Sequence, residues 1–178
     1  MNHIQHTESK AYQIVSIALI AGLYVVVTMI TAPLSFGVLN FRIAEALNFL
    51  GLYRQRHIYA LTLGVFISNY FAFGPLDMII GSLSTLVFVT LGKYLANYIV
   101  DDVMKEHAWK IDPMLIKYLI MAITFSLSMI TIALMIVILG FDGPFLPLYG
   151  GLVISEFIAM ALGGLIIYPL SKRIDLTK

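Results

Sequence analysis

The chain has 178 residues, of which 60% are hydrophobic and 12% are charged, whereas an average soluble domain is about 25% charged. This composition excludes a soluble globular domain and a disordered chain. The net charge of +1 gives no basic field for nucleic acid, and the absence of cysteine excludes disulfides, thiolate metal sites and cysteine nucleophiles. We therefore expect a single all-α membrane domain covering residues 1–178.

Hydrophobic windows predict where the chain crosses the membrane. A spanning helix needs about 20 mostly apolar residues, and four windows reach that length: Ala11–Ala32, Leu76–Val100, Met114–Gly140 and Leu148–Leu170. Two shorter apolar stretches lie between the first two windows, at Phe41–Tyr53 and Ile58–Phe73. We therefore predict a polytopic protein of the cell membrane with six transmembrane helices, of which the second is short.

Lysine and arginine positions predict the orientation of these helices. With both termini in the cytoplasm, every basic residue except Arg42 falls on or near the cytoplasmic side, which is the usual bias of membrane proteins. The charged residues of the outer side are then Arg42, Glu45, Asp77, Asp142 and Glu156. Charges at membrane depth are costly unless they are paired or line a cavity. This set predicts one polar chamber that is open to the outside.

Each charged residue of the chamber allows a structural and a binding role. Arg42 and Glu45 are three residues apart and can meet on one helix face, where they either neutralise each other or orient one carboxylate toward a ligand. Asp77 begins a helix and is either a cap or a ligand. Glu156 lies two turns inside an apolar window, so it needs a ligand, a proton-linked role or a structural bond.

Two polar residues and two pairs of small residues also allow two interpretations each. Asn69 and Tyr70 either line the chamber or are ordinary interface residues. Ala18-x-x-x-Gly22 in the first window and Ala159-x-x-x-Gly163 in the last are small pairs that let helix backbones approach closely. Such pairs serve either packing within the bundle or docking of another membrane subunit.

The sequence lacks the known phosphate-binding and hydrolase motifs. It contains no G-x-x-x-x-G-K-[ST] loop, no H-E-x-x-H and no G-x-S-x-G. We therefore expect neither an enzyme nor a cofactor or metal site.

Two stretches of the chain, residues 32–47 and 76–86, together with Ser155-Glu156-Phe157, resemble the QueT family. These proteins are substrate-binding S components of energy-coupling factor transporters, associated with uptake of queuosine precursors. Asn40 and Ala44 depart from the pattern, in which Gln and Ser are expected.

The resemblance implies that the chain captures a 7-deazaguanine base outside the cell. It also implies delivery through a membrane-embedded T subunit driven by two cytoplasmic ATPases, with Ala18 and Gly22 contacting the T subunit. A carboxylate can accept both donors of a guanine-like edge, a second carboxylate favours an aminomethyl cation, and aromatic rings can stack on the base. The expected substrate-binding residues are Glu156, Asp77, Glu45, Arg42, Asn40, Asn69, Phe36, Tyr70 and Tyr149. The alternatives are an S component for thiamine or riboflavin, and a stand-alone membrane enzyme or channel.

Overall fold

A computed structural model of the protein describes residues 9–37, 41–71, 74–104 and 111–177. Every regular element in these residues is a helix, which confirms the all-α prediction. The elements are α1 (Lys10–Ile30), α2 (Ala32–Ser35), a 3₁₀ helix (Ile43–Leu52), α3 (Gln55–Tyr70), α4 (Pro75–Asn97), a π-helical turn (Tyr98–Val103), α5 (Pro113–Leu127), α6 (Met129–Ile138) and α7 (Phe145–Ser171).

Four helical stretches of the described chain are long and apolar enough to cross a membrane. They are α1, α4 with the π-helical turn, α5 together with α6, and α7. Each coincides with one of the four long windows of the sequence. The 3₁₀ helix and α3, with 10 and 16 residues, occupy the two shorter apolar stretches. The chain is thus a multi-pass membrane protein by the length and composition of its helices.

Local chemistry determines where several helices begin. Ser9 caps α1 by accepting a hydrogen bond from the Tyr12 amide at 3.2 Å, and Asp112 caps α5 by accepting one from the Met114 amide at 2.8 Å. Gly74 precedes α4 with a φ of 80°, a conformation that a residue with a Cβ rarely adopts. This glycine allows the chain to reverse between α3 and α4.

The window Met114–Gly140, predicted as one span, corresponds to the single apolar stretch Pro113–Ile138, but its α-helical pattern is interrupted at Ser128 between α5 and α6. The Ser128 amide donates to the carbonyl of Phe125, three residues back, instead of continuing the α-helical pattern. The hydroxyl of Thr131 donates to the Ser128 carbonyl at 2.8 Å. Hydroxyl side chains that bond to nearby carbonyls compete with the helix ladder and bend helices.

The 3₁₀ helix lies at the centre of the bundle, where it contacts α1, α3, α4, α5 and α7. Glycines permit these close approaches. A Cβ on Gly51 would lie 2.5 Å from Val89 of α4, and one on Gly163 of α7 would lie 2.3 Å from the Cβ of Ala46. The small pair that includes Gly163 therefore serves packing within the bundle.

The small pair of α1 behaves differently. Ala18 is exposed, and a Cβ added to Gly22 would meet no described atom within 4 Å. The buried residues of α1, which are Ala21, Tyr24 and Thr28, lie on another side of the helix. Ala18 and Gly22 therefore lie on the outer surface of the bundle.

Candidate binding site

A buried polar cavity lies between the 3₁₀ helix and helices α3 to α7. Its volume is about 20 Å³, which is room for about one water-sized group. The polar lining residues are Arg42, Glu45, Asn69, Ser84, Thr85 and Glu156, and the others are Val65, Gly81, Phe125, Met129 and Ile132. The cavity thus combines a few charged groups with an apolar wall, as small-molecule sites do.

The 3₁₀ geometry aligns the Glu45 carboxylate with its hydrogen-bond partner Asn48. Residues three apart are eclipsed in a 3₁₀ helix, so Glu45 and Asn48 share one line with Arg42 at the helix start. Asn48 Nδ2 donates to one carboxylate oxygen of Glu45 at 2.7 Å, and the hydroxyl of Tyr24 donates to the other at 2.7 Å. Glu45 is therefore oriented from two elements, α1 and the 3₁₀ helix.

Tyr24 reaches Glu45 because α1 and α3 pack closely. Tyr24 is fully buried. A Cβ on Gly64 of α3 would lie 2.8 Å from the Cβ of Tyr24, so only glycine leaves room for this side chain. The close contact holds the tyrosine hydroxyl at the carboxylate.

Arg42 links the 3₁₀ helix to α3 and α4. Its Nη1 donates to Asn69 Oδ1 at 2.6 Å, and its Nη2 lies 3.6 Å from the carboxylate of Asp77. Asn69 Nδ2 donates in turn to the Asp77 carbonyl at 3.0 Å. A Cβ on Gly81 would lie 2.2 Å from that amide nitrogen, so the glycine makes space for the link.

Asp77 stands behind Arg42 and is not among the residues that line the cavity. It is the third residue of α4, whose N-cap is Gly74. Its carboxylate faces Arg42 and accepts no hydrogen bond from the described backbone, so it does not cap the helix. The first helical turn is nevertheless a favourable position for a negative charge.

Glu156 is the second carboxylate of the cavity lining, and it comes from α7. It is 2% exposed, and its Oε1 atom has no hydrogen-bond partner within the described ranges. Buried polar atoms are nearly always hydrogen-bonded in folded proteins. An unpaired carboxylate oxygen on a cavity wall therefore marks a position for a ligand donor.

The cavity lining contains both hydrogen-bond donors and hydrogen-bond acceptors. The hydroxyl of Thr85 donates to the Gly81 carbonyl at 3.0 Å, and Ser84 Oγ accepts from Thr131 at 3.0 Å. Asn48 Oδ1, next to Glu45, has no partner in the part of the chain that the structure describes. Donor groups of a ligand can therefore pair with Asn48 Oδ1 and Glu156 Oε1.

Besides Asp77, three predicted binding residues are not brought to the cavity lining. Phe36 is half-buried at the end of α2, and Tyr70 is 60% exposed with its ring against Phe71. Tyr149 stacks on Phe145 and donates to the Leu127 carbonyl at 3.2 Å. Asn40 lies outside the described residues.

Asp142, the fifth charge of the predicted outer set, is exposed in the loop between α6 and α7. The other four members, Arg42, Glu45, Asp77 and Glu156, come together at the cavity and immediately behind it. The predicted clustering is therefore observed for these four.

Sequence reasoning missed several polar residues of the site. Asn48 had a usable signal, since it continues the spacing of three from Arg42 and Glu45. Ser84 and Thr85 lie in residues 76–86, one of the stretches that carried the family resemblance. Tyr24 has no such signal, because it is one aromatic residue in an apolar helix.

A separate and larger groove lies between α5 and α7, with a volume of about 460 Å³. Its lining includes Phe49, Leu119, Met160 and Leu165, and no charged side chain. Leu119 and Leu165 at its rim are exposed on the bundle surface. Such a groove suits hydrocarbon and offers a charged solute no counter-ion.

Comparisons with known proteins agree with the architecture. The QueT transporter family matches residues 14–172. The chain is 39% identical over 173 residues to the Queuosine precursor transporter QueT of Lactococcus lactis subsp. cremoris (strain MG1363), an alignment that covers 96% of this chain and 99% of the relative. No solved structure matches the chain.

Proposed function

The chain belongs to the QueT transporter family, and we propose that it binds a queuosine precursor with a 7-deazaguanine base in the buried polar cavity. It is a multi-pass membrane transporter of the cell membrane and not an enzyme. The observation that carries the proposal is Glu156, a buried carboxylate with an unpaired oxygen on a cavity wall of a transporter.

The chemistry of the base suits this lining. A guanine-like edge carries a ring N–H and an exocyclic amine side by side, and a carboxylate accepts both in a charge-assisted pair. Glu156 supplies that carboxylate, and Phe125 with Met129 supplies an apolar wall for the flat ring. Because the cavity has a volume of about 20 Å³, binding requires these side chains to move apart.

The transport cycle that we propose uses partner subunits. The chain acts as the S component of an energy-coupling factor importer, which captures the base outside and docks on a T subunit driven by two cytoplasmic ATPases. Exposed Ala18 and Gly22 on α1 support this proposal, since they give a partner helix a surface with little steric hindrance. The chain crosses the membrane six times in this scheme, with both termini in the cytoplasm.

A binding panel on the purified chain tests the substrate. Calorimetry in detergent against 7-deazaguanine bases, guanine, thiamine and riboflavin is expected to show tight binding of a 7-deazaguanine only. Glu156→Gln is expected to weaken that binding at least about 30-fold, because it removes a desolvated charge from the pair. Binding of a vitamin with no response to any 7-deazaguanine would contradict the assignment.

A further inference from the structure

The apolar groove between α5 and α7 has the length of one lipid chain. On α7 its lining runs from Phe157 to Pro169, which at about 1.5 Å per residue is a length of about 18 Å. One leaflet of a bilayer has a hydrocarbon depth of about 15 Å, half that of the whole core. An acyl chain of the leaflet at that end of the bundle therefore fits along the groove.

Small side chains on the two helices open the groove toward the bundle surface. Ala122 of α5, together with Ala161 and Gly164 of α7, belongs to its lining. The floor is the 3₁₀ helix, since a Cβ on Gly164 would lie 3.5 Å from the Phe49 ring. Leu165 on the rim is 73% exposed. In a membrane the open side of the groove faces lipid.

One end of the groove carries polar and charged side chains. Tyr168 belongs to the lining and donates its hydroxyl to Asp112 at 2.9 Å, and the Lys172 ammonium lies 5.1 Å from the centre of the Tyr168 ring. Lys172 also donates to Asp112, and its side chain is half exposed. An ammonium group has three donors, so Lys172 has N–H groups left for the phosphate of a lipid.

Basic side chains outnumber acidic ones around this ion pair. Arg173 is exposed, and Asp175 follows two residues later. Arg54, at the start of α3, reaches this end of the bundle by donating to the Thr177 carbonyl. With the ion pair, these described residues comprise three basic and two acidic side chains. The excess of one positive charge complements an anionic headgroup, whereas a choline headgroup would add a further cation.

We propose that the groove is a binding site for an anionic phospholipid, with one acyl chain between α5 and α7 and the phosphate on Lys172 and Arg173. The site is separate from the polar cavity, because the two linings share no residue. The proposal therefore does not depend on the proposed substrate. A lipid bound there fills the space between α5 and α7.

Lipid retention tests the headgroup. The purified full chain is placed in nanodiscs of phosphatidylglycerol and phosphatidylcholine with the same acyl chains, and native mass spectrometry counts the lipids that remain bound. One retained lipid is expected, with phosphatidylglycerol favoured at least about fivefold, the effect of one basic residue near a membrane surface. Lys172→Gln is expected to remove most of this preference. Lys10→Gln, at an exposed position at the start of α1, is the matched control and is expected to keep it.

A filled groove tests the position of the acyl chain. Ala161→Phe places a ring in the groove and is expected to abolish the retained lipid. Leu162→Phe is the matched control, because Leu162 is exposed on α7 and does not line the groove. Gly164→Leu provides the same test if Ala161→Phe does not fold, which a thermal melt of each variant would show. Binding of a 7-deazaguanine base is expected to be unchanged in these variants.

Each contrary outcome overturns a stated part of the proposal. Equal retention of the two lipids by the wild-type chain would overturn the anionic headgroup. Undiminished retention in folded Ala161→Phe and Gly164→Leu would overturn the groove as the site of the acyl chain. A wild-type chain that retains no lipid would overturn the whole proposal and leave the groove to a helix of another membrane subunit.

Discussion

Tyr24 shows how one hydroxyl group connects distant parts of the site. It belongs to α1, yet its hydroxyl donates at 2.7 Å to Glu45 on the 3₁₀ helix. Without this hydroxyl, the Glu45 carboxylate would face the apolar ring of residue 24, which is fully buried. The connection makes the orientation of Glu45 depend on the position of α1.

Tyr24→Phe tests this connection. The variant leaves a buried carboxylate oxygen without its donor, so we expect a loss of about 1–3 kcal/mol in unfolding free energy and weaker binding of the base. Chemical unfolding in detergent and calorimetry measure the two effects. Tyr94→Phe, at an exposed position of α4, is the control. Equal behaviour of the two variants would show that the hydroxyl does not hold Glu45.

The sequence predicted the charged residues of the site better than their partners. Arg42, Glu45, Asp77 and Glu156 stood out because charge is rare in apolar helices. Their hydrogen-bond partners depend on distances between helices far apart in sequence. The aromatic residues Phe36, Tyr70 and Tyr149 were predicted from the chemistry of stacking alone, which contains no information on where a ring lies.

At the scale of elements, the 3₁₀ helix organises the bundle through glycine contacts. Gly51 lets it approach α4, and Gly163 lets α7 approach it. Helix association within a membrane depends on close packing, since apolar lipid removes the hydrophobic driving force. Loss of one such glycine is therefore costly.

Gly163→Ala tests the packing at the centre. Its Cβ would lie 2.3 Å from the Cβ of Ala46, so the backbones of α7 and the 3₁₀ helix must separate. We expect a loss of about 1–3 kcal/mol, typical of overpacking, in an unfolding titration. Gly22→Ala is the matched control, because its Cβ meets nothing within 4 Å. A destabilised Gly22→Ala with an unaffected Gly163→Ala would contradict the described packing.

The ends of α5 and α7 are joined by a pH-sensitive contact outside the membrane-spanning segments. Asp112, the cap of α5, accepts hydrogen bonds from Lys172 and from Tyr168 at 2.9 Å. The Lys172 ammonium, followed by the Met114 amide and the Tyr168 hydroxyl, lowers the pKa of the Asp112 carboxyl below its ordinary value of 3.8.

A lowered pKa in the folded state fixes the sign of the pH effect. The contact stabilises the fold fully above the ordinary pKa of 3.8, and this contribution is lost as the pH falls through the lowered value. Thermal melts between pH 6 and about pH 2 should therefore show a decline that Asp112→Asn reduces. If Asp112→Asn loses stability in acid as much as the wild type does, groups other than Asp112 cause the decline.

The helix boundaries illustrate what periodicity and composition can predict. The windows around α1, α4 and α7 were found because about 20 apolar residues suffice to identify a span. The break at Ser128 was missed, because serine and threonine bend a helix only when their hydroxyls bond to the backbone. The 3₁₀ geometry of Ile43–Leu52 was missed too, since a short apolar stretch does not determine its hydrogen-bond pattern.

At the scale of the whole molecule, the polar cavity and the lipid-compatible groove are separate. The cavity contains the charged groups, whereas the groove between α5 and α7 is larger and has an apolar lining. A substrate with several polar groups belongs in the first and an acyl chain in the second. Cavity size alone would select the groove, whereas the positions of the charged groups select the polar cavity.

The six-span topology can be tested directly because the chain has no cysteine of its own. We expect a membrane-impermeant maleimide to label Asp142→Cys in intact cells, and Thr177→Cys only after the membrane is opened. Both positions are exposed, so protection reports the side of the membrane. The reverse pattern would place the termini outside, and labelling of both in intact cells would contradict six crossings.

An experimental structure of the chain with a 7-deazaguanine base bound tests the central claim most directly. The account predicts a widened cavity in which the ring N–H and exocyclic amine of the base lie within hydrogen-bond distance of the Glu156 carboxylate. Arg42 is expected to remain paired with Asp77. A base bound in the groove between α5 and α7, or away from both carboxylates, would contradict the account.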